Sequence, residues 1–193
     1  SARDSALLVV PMFHVNAWGT PYAGAMSGAK LVMPGPNLDG KSVYELMRDE
    51  RVTVALGVPT VWLMLFGHVE ANHLDPRREL TLQRVVIGGS AAPRTMCEHF
   101  ETRFGAFALH AWGMTETSPI GTVCNLLPKH AGLPLADRLD VQKKQGRPLF
   151  GVELRITDDG GRRLPHDGVA FGHLMVRGPW IAASYFKSEG GDL

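Results

Sequence analysis

Near the middle of the chain, the run His110-Ala-Trp-Gly-Met-Thr-Glu116 gathers an unusual amount of chemistry. Trp112 offers a flat π face and Gly113 lets backbone approach closely. Thr115 carries a hydroxyl, and Glu116 carries the hard oxygen that Mg²⁺ prefers. An aromatic shelf, a phosphate-directed hydroxyl and a metal-directed carboxylate within one short stretch are the parts of a nucleoside triphosphate site. Upstream lies a second candidate segment, Gly88-Gly-Ser-Ala-Ala-Pro93, where bare backbone can pass beside a ligand. A third is Pro11-Met-Phe-His-Val-Asn-Ala-Trp18, with His14 and Trp18 after an apolar run.

The elements that must position these residues follow from patterning. Ala6–Pro11 is a short apolar run suited to a strand buried on both faces. His14–Ser27 reads as loop then helix, and Ala29–Met33 as a second strand closed by Pro34-Gly35-Pro36. Asp39 is placed to cap a helix over 41–50, with Val43, Leu46 and Met47 at core spacing. Val52–Leu56 is a third strand. Pro59 then opens a helix whose Val61, Leu63, Met64, Leu65, Phe66 and Val69 are expected to be largely buried. Trp62 and Met64 have two readings, core packing or the wall of a pocket. Leu82–Ile87 is a strand ending in Gly88-Gly89, Pro93 opens a helix with Met96, Phe100 and Phe104 on one side, and Phe107–Ala111 leads into the Trp112 segment.

Strand and helix alternate at short intervals to residue 111, which predicts an α/β fold: a mostly parallel sheet with flanking helices, passing into a β-rich subdomain. The division falls at 1–120 for the α/β portion and 121–193 for the loop and β-rich portion of the same domain. Within the latter, a helix is expected over Leu135–Gln142. Val152–Thr157 and Gly172–Arg177 have hairpin texture around Asp158-Asp-Gly-Gly161. Ligands gather at the carboxyl ends of parallel strands, where Gly88-Gly89 and Trp112–Glu116 both fall.

Bulk properties exclude several classes. A net charge of +1 over 193 residues gives no electrostatic case for nucleic acid. Two cysteines, Cys97 and Cys124, make neither a disulfide framework nor a metal set and read as reduced packing residues. Apolar runs are far too short to span a bilayer and no secretory signal is visible, so a cytoplasmic location is expected. His68, His73, His99 and His130 lack ligand spacing and read as surface. The first residues, without an initiator Met, and the loop-like Glu189–Leu193 suggest an excerpt of a longer protein.

In order and spacing, these segments resemble the adenylate-forming (AMP-binding) superfamily of acyl-CoA synthetases, adenylation domains and luciferases. Gly57-Val-Pro-Thr60, Gly146-Arg-Pro148, Gly151-Val-Glu-Leu-Arg-Ile156, the segment Gly172–Pro179 and Tyr185-Phe186 extend the resemblance along nearly the whole chain. The run His14-Val-Asn-Ala-Trp18 is most similar to medium- and long-chain fatty acyl-CoA synthetases, and also occurs in ligases for methylmercaptopropionate. The resemblance implies a large-domain fragment of an ATP-dependent fatty acid–CoA ligase. Its partners would be a carboxylic acid, ATP/AMP, Mg²⁺ and CoA as co-substrate, with a homodimer left open.

By the same resemblance Thr115, Glu116 and His14 are catalytic, and Glu116 is the metal ligand. Trp18, Gly88, Gly89, Ser90, His110, Ala111, Trp112, Gly113 and Thr115 bind nucleotide, with Trp18 also a gate to the acyl tunnel. A satisfied buried histidine is the competing reading of His14. No phosphate loop ending in Pro-Lys occurs in these residues, and Lys187 is no substitute for the adenylation lysine of the family's C-terminal lid. The 193-residue chain alone is therefore expected not to complete the reaction. Rival readings are a same-mechanism ligase for a short thioether acid, a non-catalytic nucleotide-binding module, and a merely architectural likeness. Intact Thr115 and Glu116 speak against the non-catalytic module, and the four ordered motifs speak against a merely architectural likeness. Acyl length stays open, because one methylene alters selectivity by only ~1–3 kcal/mol.

Overall fold

The computed structural model describes residues 1–187, so the reading of Glu189–Leu193 lies outside the described residues. Seven strands form one sheet in the order β2-β1-β3-β4-β5-β6-β7, and two more form a separate pair. β1 (Ser5–Leu8), β2 (Lys30–Val32), β3 (Val54–Gly57), β4 (Arg84–Ile87) and β5 (Phe107–Gly113) run parallel. β6 (Ile120–Cys124) and β7 (Arg147–Pro148) join antiparallel. β8 (Glu153–Thr157) pairs antiparallel with β9 (His173–Arg177). The predicted α/β class, with its mostly parallel sheet, is therefore present, and the sheet continues past residue 120 through β6 and β7.

Period-two alternation divides the core. Leu7, Ala55, Val85, Ile87 and Ala108 point to the larger core, against the buried faces of the helices. Ala6, Leu8 and Val10 point the other way and meet Ala17. Parallel strands covered on both sides must be apolar on both sides, and all four residues of β1 are buried.

Helices start where the sequence supplies caps. Asp39 accepts from the Lys41 and Ser42 amides at the head of α3 (Gly40–Asp49). Pro59 and Pro76 occupy first-turn positions of α4 (Pro59–Ala71) and α5 (Pro76–Glu79). In α4 the structure corrects the expected burial: Leu63 and Met64 are 60% and 46% exposed, whereas Trp62 is fully buried. Trp62 thus belongs to the core, stacked edge-on to Phe100 at 5.5 Å between ring centroids. α6 (Arg94–His99) widens into a π-helical turn over Phe100–Phe104, which keeps Phe100 and Phe104 turned inward.

His99 departs from its surface reading. Its ring stacks on Phe66 at 4.0 Å, its Nε2 is buried with no hydrogen-bond partner among the described residues, and burial pushes its pKa down. The helix expected over Leu135–Gln142 is present as α7, pinned by buried Leu139 and by Gln142 Nε2 donating to the Ala108 carbonyl.

Between β1 and the helix α2 (Thr20–Ser27), the expected loop is a left-handed turn, α1 (Val15–Trp18). Val15, Asn16, Ala17 and Trp18 all have φ between 48° and 56°, and Gly19 follows at 69°. This conformation costs L-residues about 1–2 kcal/mol each. It is retained because Ala17 is fully buried and Gly19 N–H bonds the Val15 and Asn16 carbonyls.

Phe100 joins three aromatic contacts at zero exposure. Phe100→Ala is expected to lower unfolding free energy by about 3–5 kcal/mol, read from the midpoint of urea unfolding of the full-length protein.

Candidate active site

The carboxyl ends of β1, β4 and β5 share one edge of the sheet, and a small cleft opens there. Its lining includes His14 and Trp18 from the turn after β1, and Gly88 and Gly89 after β4. Ala111, Trp112 and Gly113 come from the end of β5. The strand order 2-1-3-4-5 places such a crevice beside a topological switch point, where open α/β sheets bind ligands. Three segments far apart in sequence therefore meet as expected.

Their meeting depends on missing side chains. A Cβ on Gly88 would lie 3.0 Å from the far edge of the Trp18 indole and 3.3 Å from the Ala111 carbonyl oxygen. A Cβ on Gly89, at φ +80°, would lie 3.0 Å from Val58 Cγ1. Bare backbone thus passes between Trp18 and the loop after β3, leaving its amides beside the cleft.

The remaining site residues sit around this cleft without lining it. Ser90 is exposed next to Gly89. Thr115 and Glu116 lie on a single 3₁₀ turn, Thr115–Thr117, that follows the lining residue Met114. Thr115 is exposed and Glu116 is half-buried, its backbone carbonyl accepting from the Ala182 amide. His14 is exposed at the cleft mouth, so the buried-histidine reading does not hold.

His110 faces away from the cleft. It is 1% exposed, its Nε2 accepts from the Ala92 N–H at 3.3 Å, and its Nδ1 donates to the Lys143 carbonyl at 3.2 Å. A carbonyl can only accept and an amide can only donate, so the ring is the neutral Nδ1–H tautomer. Burial pushes its pKa down, opposed by its backbone hydrogen bonds. The ring ties the glycine segment, β5 and the end of α7 together, and only its backbone reaches toward the site.

Several residues of the site escaped sequence reasoning. Val15, Met114, Pro119 and Ile120 line the cleft. Thr117 is 1% exposed, and its Oγ1 accepts from the Met114 N–H at 2.9 Å while donating to the Pro119 carbonyl at 2.7 Å. One hydroxyl closes the turn that presents Thr115 and Glu116. A threonine beside two polar residues gave no signal; only its burial does.

Among the described residues no group of three or more His, Cys, Asp or Glu side chains could hold a metal ion. One half-buried carboxylate fits Mg²⁺ of the kind that keeps its waters and takes further oxygens from substrate phosphates.

The profile of the family described as AMP-binding enzyme matches residues 1–186. The chain belongs to that family. It is 52% identical over 192 residues to the medium-chain-fatty-acid–CoA ligase of Ectopseudomonas oleovorans, covering 100% of this chain and 35% of that protein. It is 50% identical to the 3-methylmercaptopropionyl-CoA ligase of Ruegeria lacuscaerulensis, again over 100% of this chain and 35% of the relative. The fold superposes on a long-chain-fatty-acid-CoA ligase from Archaeoglobus fulgidus with TM-score 0.78 at 24% identity, covering 97% of this chain and 36% of that one. The chain thus spans about a third of the length of these relatives.

Two outcomes are expected. Thr117→Val leaves the Met114 N–H and Pro119 carbonyl unpaired and lowers stability by about 1–3 kcal/mol, whereas Thr117→Ser does not; urea denaturation of both variants checks this. For His110, the folded pKa lies below the ordinary 6.5, so unfolded chains take up the proton first as pH falls. Stability is then undiminished above that value and erodes as pH drops through it; His99 acts in the same direction. His110→Gln, which cannot titrate, is expected to flatten the urea-midpoint slope between about pH 7.5 and 5.

Proposed function

We propose that the full-length protein is an ATP-dependent fatty acid–CoA ligase and that this chain is the middle portion of its large domain. Residues 1–120 would supply the α/β portion and 121–193 the β-rich portion. A phosphate loop upstream and a lid with the adenylation lysine downstream would complete the site. The observation that carries the reading is the convergence of Trp112, Gly88, Gly89, Trp18 and His14 on one cleft, with the Thr115–Glu116 turn at its edge. Family membership and the names of the relatives support the same reaction.

A carboxylate cannot acylate a thiol directly, because oxide would have to leave. In the first step a carboxylate oxygen attacks the α-phosphorus of ATP, the bond to pyrophosphate breaks, and an acyl-adenylate forms. In the second, the CoA thiolate attacks the acyl carbon and AMP departs. Both steps ask the protein for alignment and for stabilisation of charge building on phosphate oxygens. Trp112 would stack on adenine, with Gly88, Gly89, Ser90, Gly113 and the backbone of His110 and Ala111 along the base. The Thr115 hydroxyl would donate to a phosphate oxygen. Glu116 would hold Mg²⁺, which when bound offsets phosphate charge. His14 would face the carboxylate at the cleft mouth, and Trp18 would separate the nucleotide cleft from the acyl path.

No helix among the described residues is long and apolar enough to cross a membrane. A cytoplasmic location accompanies this reading, and a homodimer is an arrangement that size-exclusion chromatography of the full-length protein tests. A second reading keeps the mechanism but takes a short thioether acid. It is favoured by the near-equal identity to the methylmercaptopropionyl-CoA ligase.

Carboxylate-dependent ATP–pyrophosphate exchange by the full-length protein, run from acetate to palmitate plus methylmercaptopropionate, is the test. A maximum with medium or long chains is expected. A maximum with the thioether acid moves the substrate to the second reading, and no exchange with any acid refutes ligation. Thr115→Ala is expected to lower exchange roughly 100-fold or more, as loss of one transition-state donor does. The isolated 193-residue chain is expected to form no acyl-CoA.

A further inference from the structure

The floor beneath Trp112 is made by a glycine that none of the roles above assigns. Along the β5–β6 pair, Trp112 lies opposite Thr122 and Gly113 opposite Ile120, so Gly121 is the extra residue of a β-bulge. A Cβ built on Gly121 would stand 2.5 Å from Cζ3 and 2.9 Å from Cε3 of the Trp112 indole. Carbon atoms in contact rest at about 3.5–4.0 Å, so the benzo edge of the indole lies directly against the bare Cα. Gly121 is buried and does not line the cleft, whereas Trp112 does; the ring stands between the glycine and the cleft. Backbone conformation does not call for glycine here, because Gly121 is not among the residues with positive φ. What the position needs is the space of the missing methyl.

We propose that Gly121 is a positioning residue for the aromatic shelf, fixing the depth at which Trp112 meets a nucleobase. The inference rests on the reading of Trp112 as the adenine shelf. A methyl group at position 121 drives the indole toward the cleft, since β5 and β6 fix the backbone on both sides of the contact. The hydrogen bond from Trp180 Nε1 to the Ile120 carbonyl, at 3.3 Å, further holds β6 in place beside the bulge. Only the ring is free to yield.

The test is a double-mutant cycle in the full-length protein: wild type, Gly121→Ala, Trp112→Phe, and both together. AMP affinity is measured by titration calorimetry, and KM for Mg·ATP and kcat by carboxylate-dependent exchange. Gly121→Ala is expected to raise the AMP Kd and the KM for ATP roughly tenfold, with kcat changed less than about threefold. In the Trp112→Phe background, where the smaller ring vacates the contact, the same substitution is expected to change Kd less than about threefold. Equal penalties in both backgrounds, or no change in Kd from Gly121→Ala, overturn the proposal. If Gly121→Ala does not fold, a folded double variant supports it, and a double variant that also fails to fold overturns it. Wild-type protein that binds no AMP removes the adenine reading itself, a result distinct from an intact wild type with no coupling.

Discussion

The parallel register of β1, β3, β4 and β5 is the constraint on which the site depends. Ala6 to Leu8 aligns with Val54 to Leu56, Val54 to Gly57 with Arg84 to Ile87, and these with Phe107 to His110. Because Leu7, Ala55, Val85 and Ala108 all face the larger core, a slip of any one of these strands by one residue would turn its own contributor out of that core to the other face of the sheet. With the register fixed, the strands end at one level, and the segments that follow them emerge side by side. The cleft is thus a by-product of burial, and the chemistry is placed by what each strand carries just beyond its last apolar residue.

Close approach is the second requirement, and it is met by subtraction. Trp18 sits over Gly88, where a Cβ would make a tight 3.0 Å contact, and Trp112 over Gly121, where a Cβ at 2.5 Å would force a shift. Large aromatic rings give rigid, low-entropy surfaces for a flat ligand. They keep a fixed position only where nothing behind them can shift. The left-handed turn at Val15–Trp18 serves the same end. In that turn Ala17 is buried in the second core and Trp18 packs against it, so burial offsets the backbone strain.

Much of this was legible in the residues, because apolar runs, prolines and Asp39 act locally. The starts and spans of α3 and α7 and the start of α4 follow from signals within a few residues of each element, whereas β1 is Ser5–Leu8 and stops short of the expected Pro11. The convergence of His14, Trp18, Gly88, Gly89 and Trp112 was also readable, since strand ends collect ligands whatever the details. What escaped depends on atoms distant in sequence. Leu63 and Met64 carry the hydropathy of core residues, yet α4 turns only one face to the sheet. Nothing in Val-Asn-Ala-Trp announces a left-handed turn before Gly19, because non-glycine residues enter that region only when tertiary contacts compel them. Thr117 and Gly121 matter through the hydroxyl bonds of one and the empty space of the other, and neither has a sequence pattern. His110 joins the site through its backbone by its place in the run, while its buried ring is held between the Ala92 amide and the Lys143 carbonyl, partners that no local pattern announces.

The location of Thr115 and Glu116 follows from the change in sheet direction. A parallel strand ordinarily leaves its sheet through a long crossover, which would let the residues after it wander. β5 instead returns at once as antiparallel β6, so the intervening segment is anchored on both sides. Gly113 is required there, as a Cβ would collide with the Pro119 carbonyl, and Thr117 closes the loop from within. The reversal therefore converts what would be a mobile connection into a short, doubly tethered turn at the carboxyl edge. A hydroxyl and a carboxylate on such a turn lose little entropy when a ligand arrives, the condition under which electrostatic stabilisation is most effective. The antiparallel join of β5 to β6 is thus as much part of the site as the residues it presents.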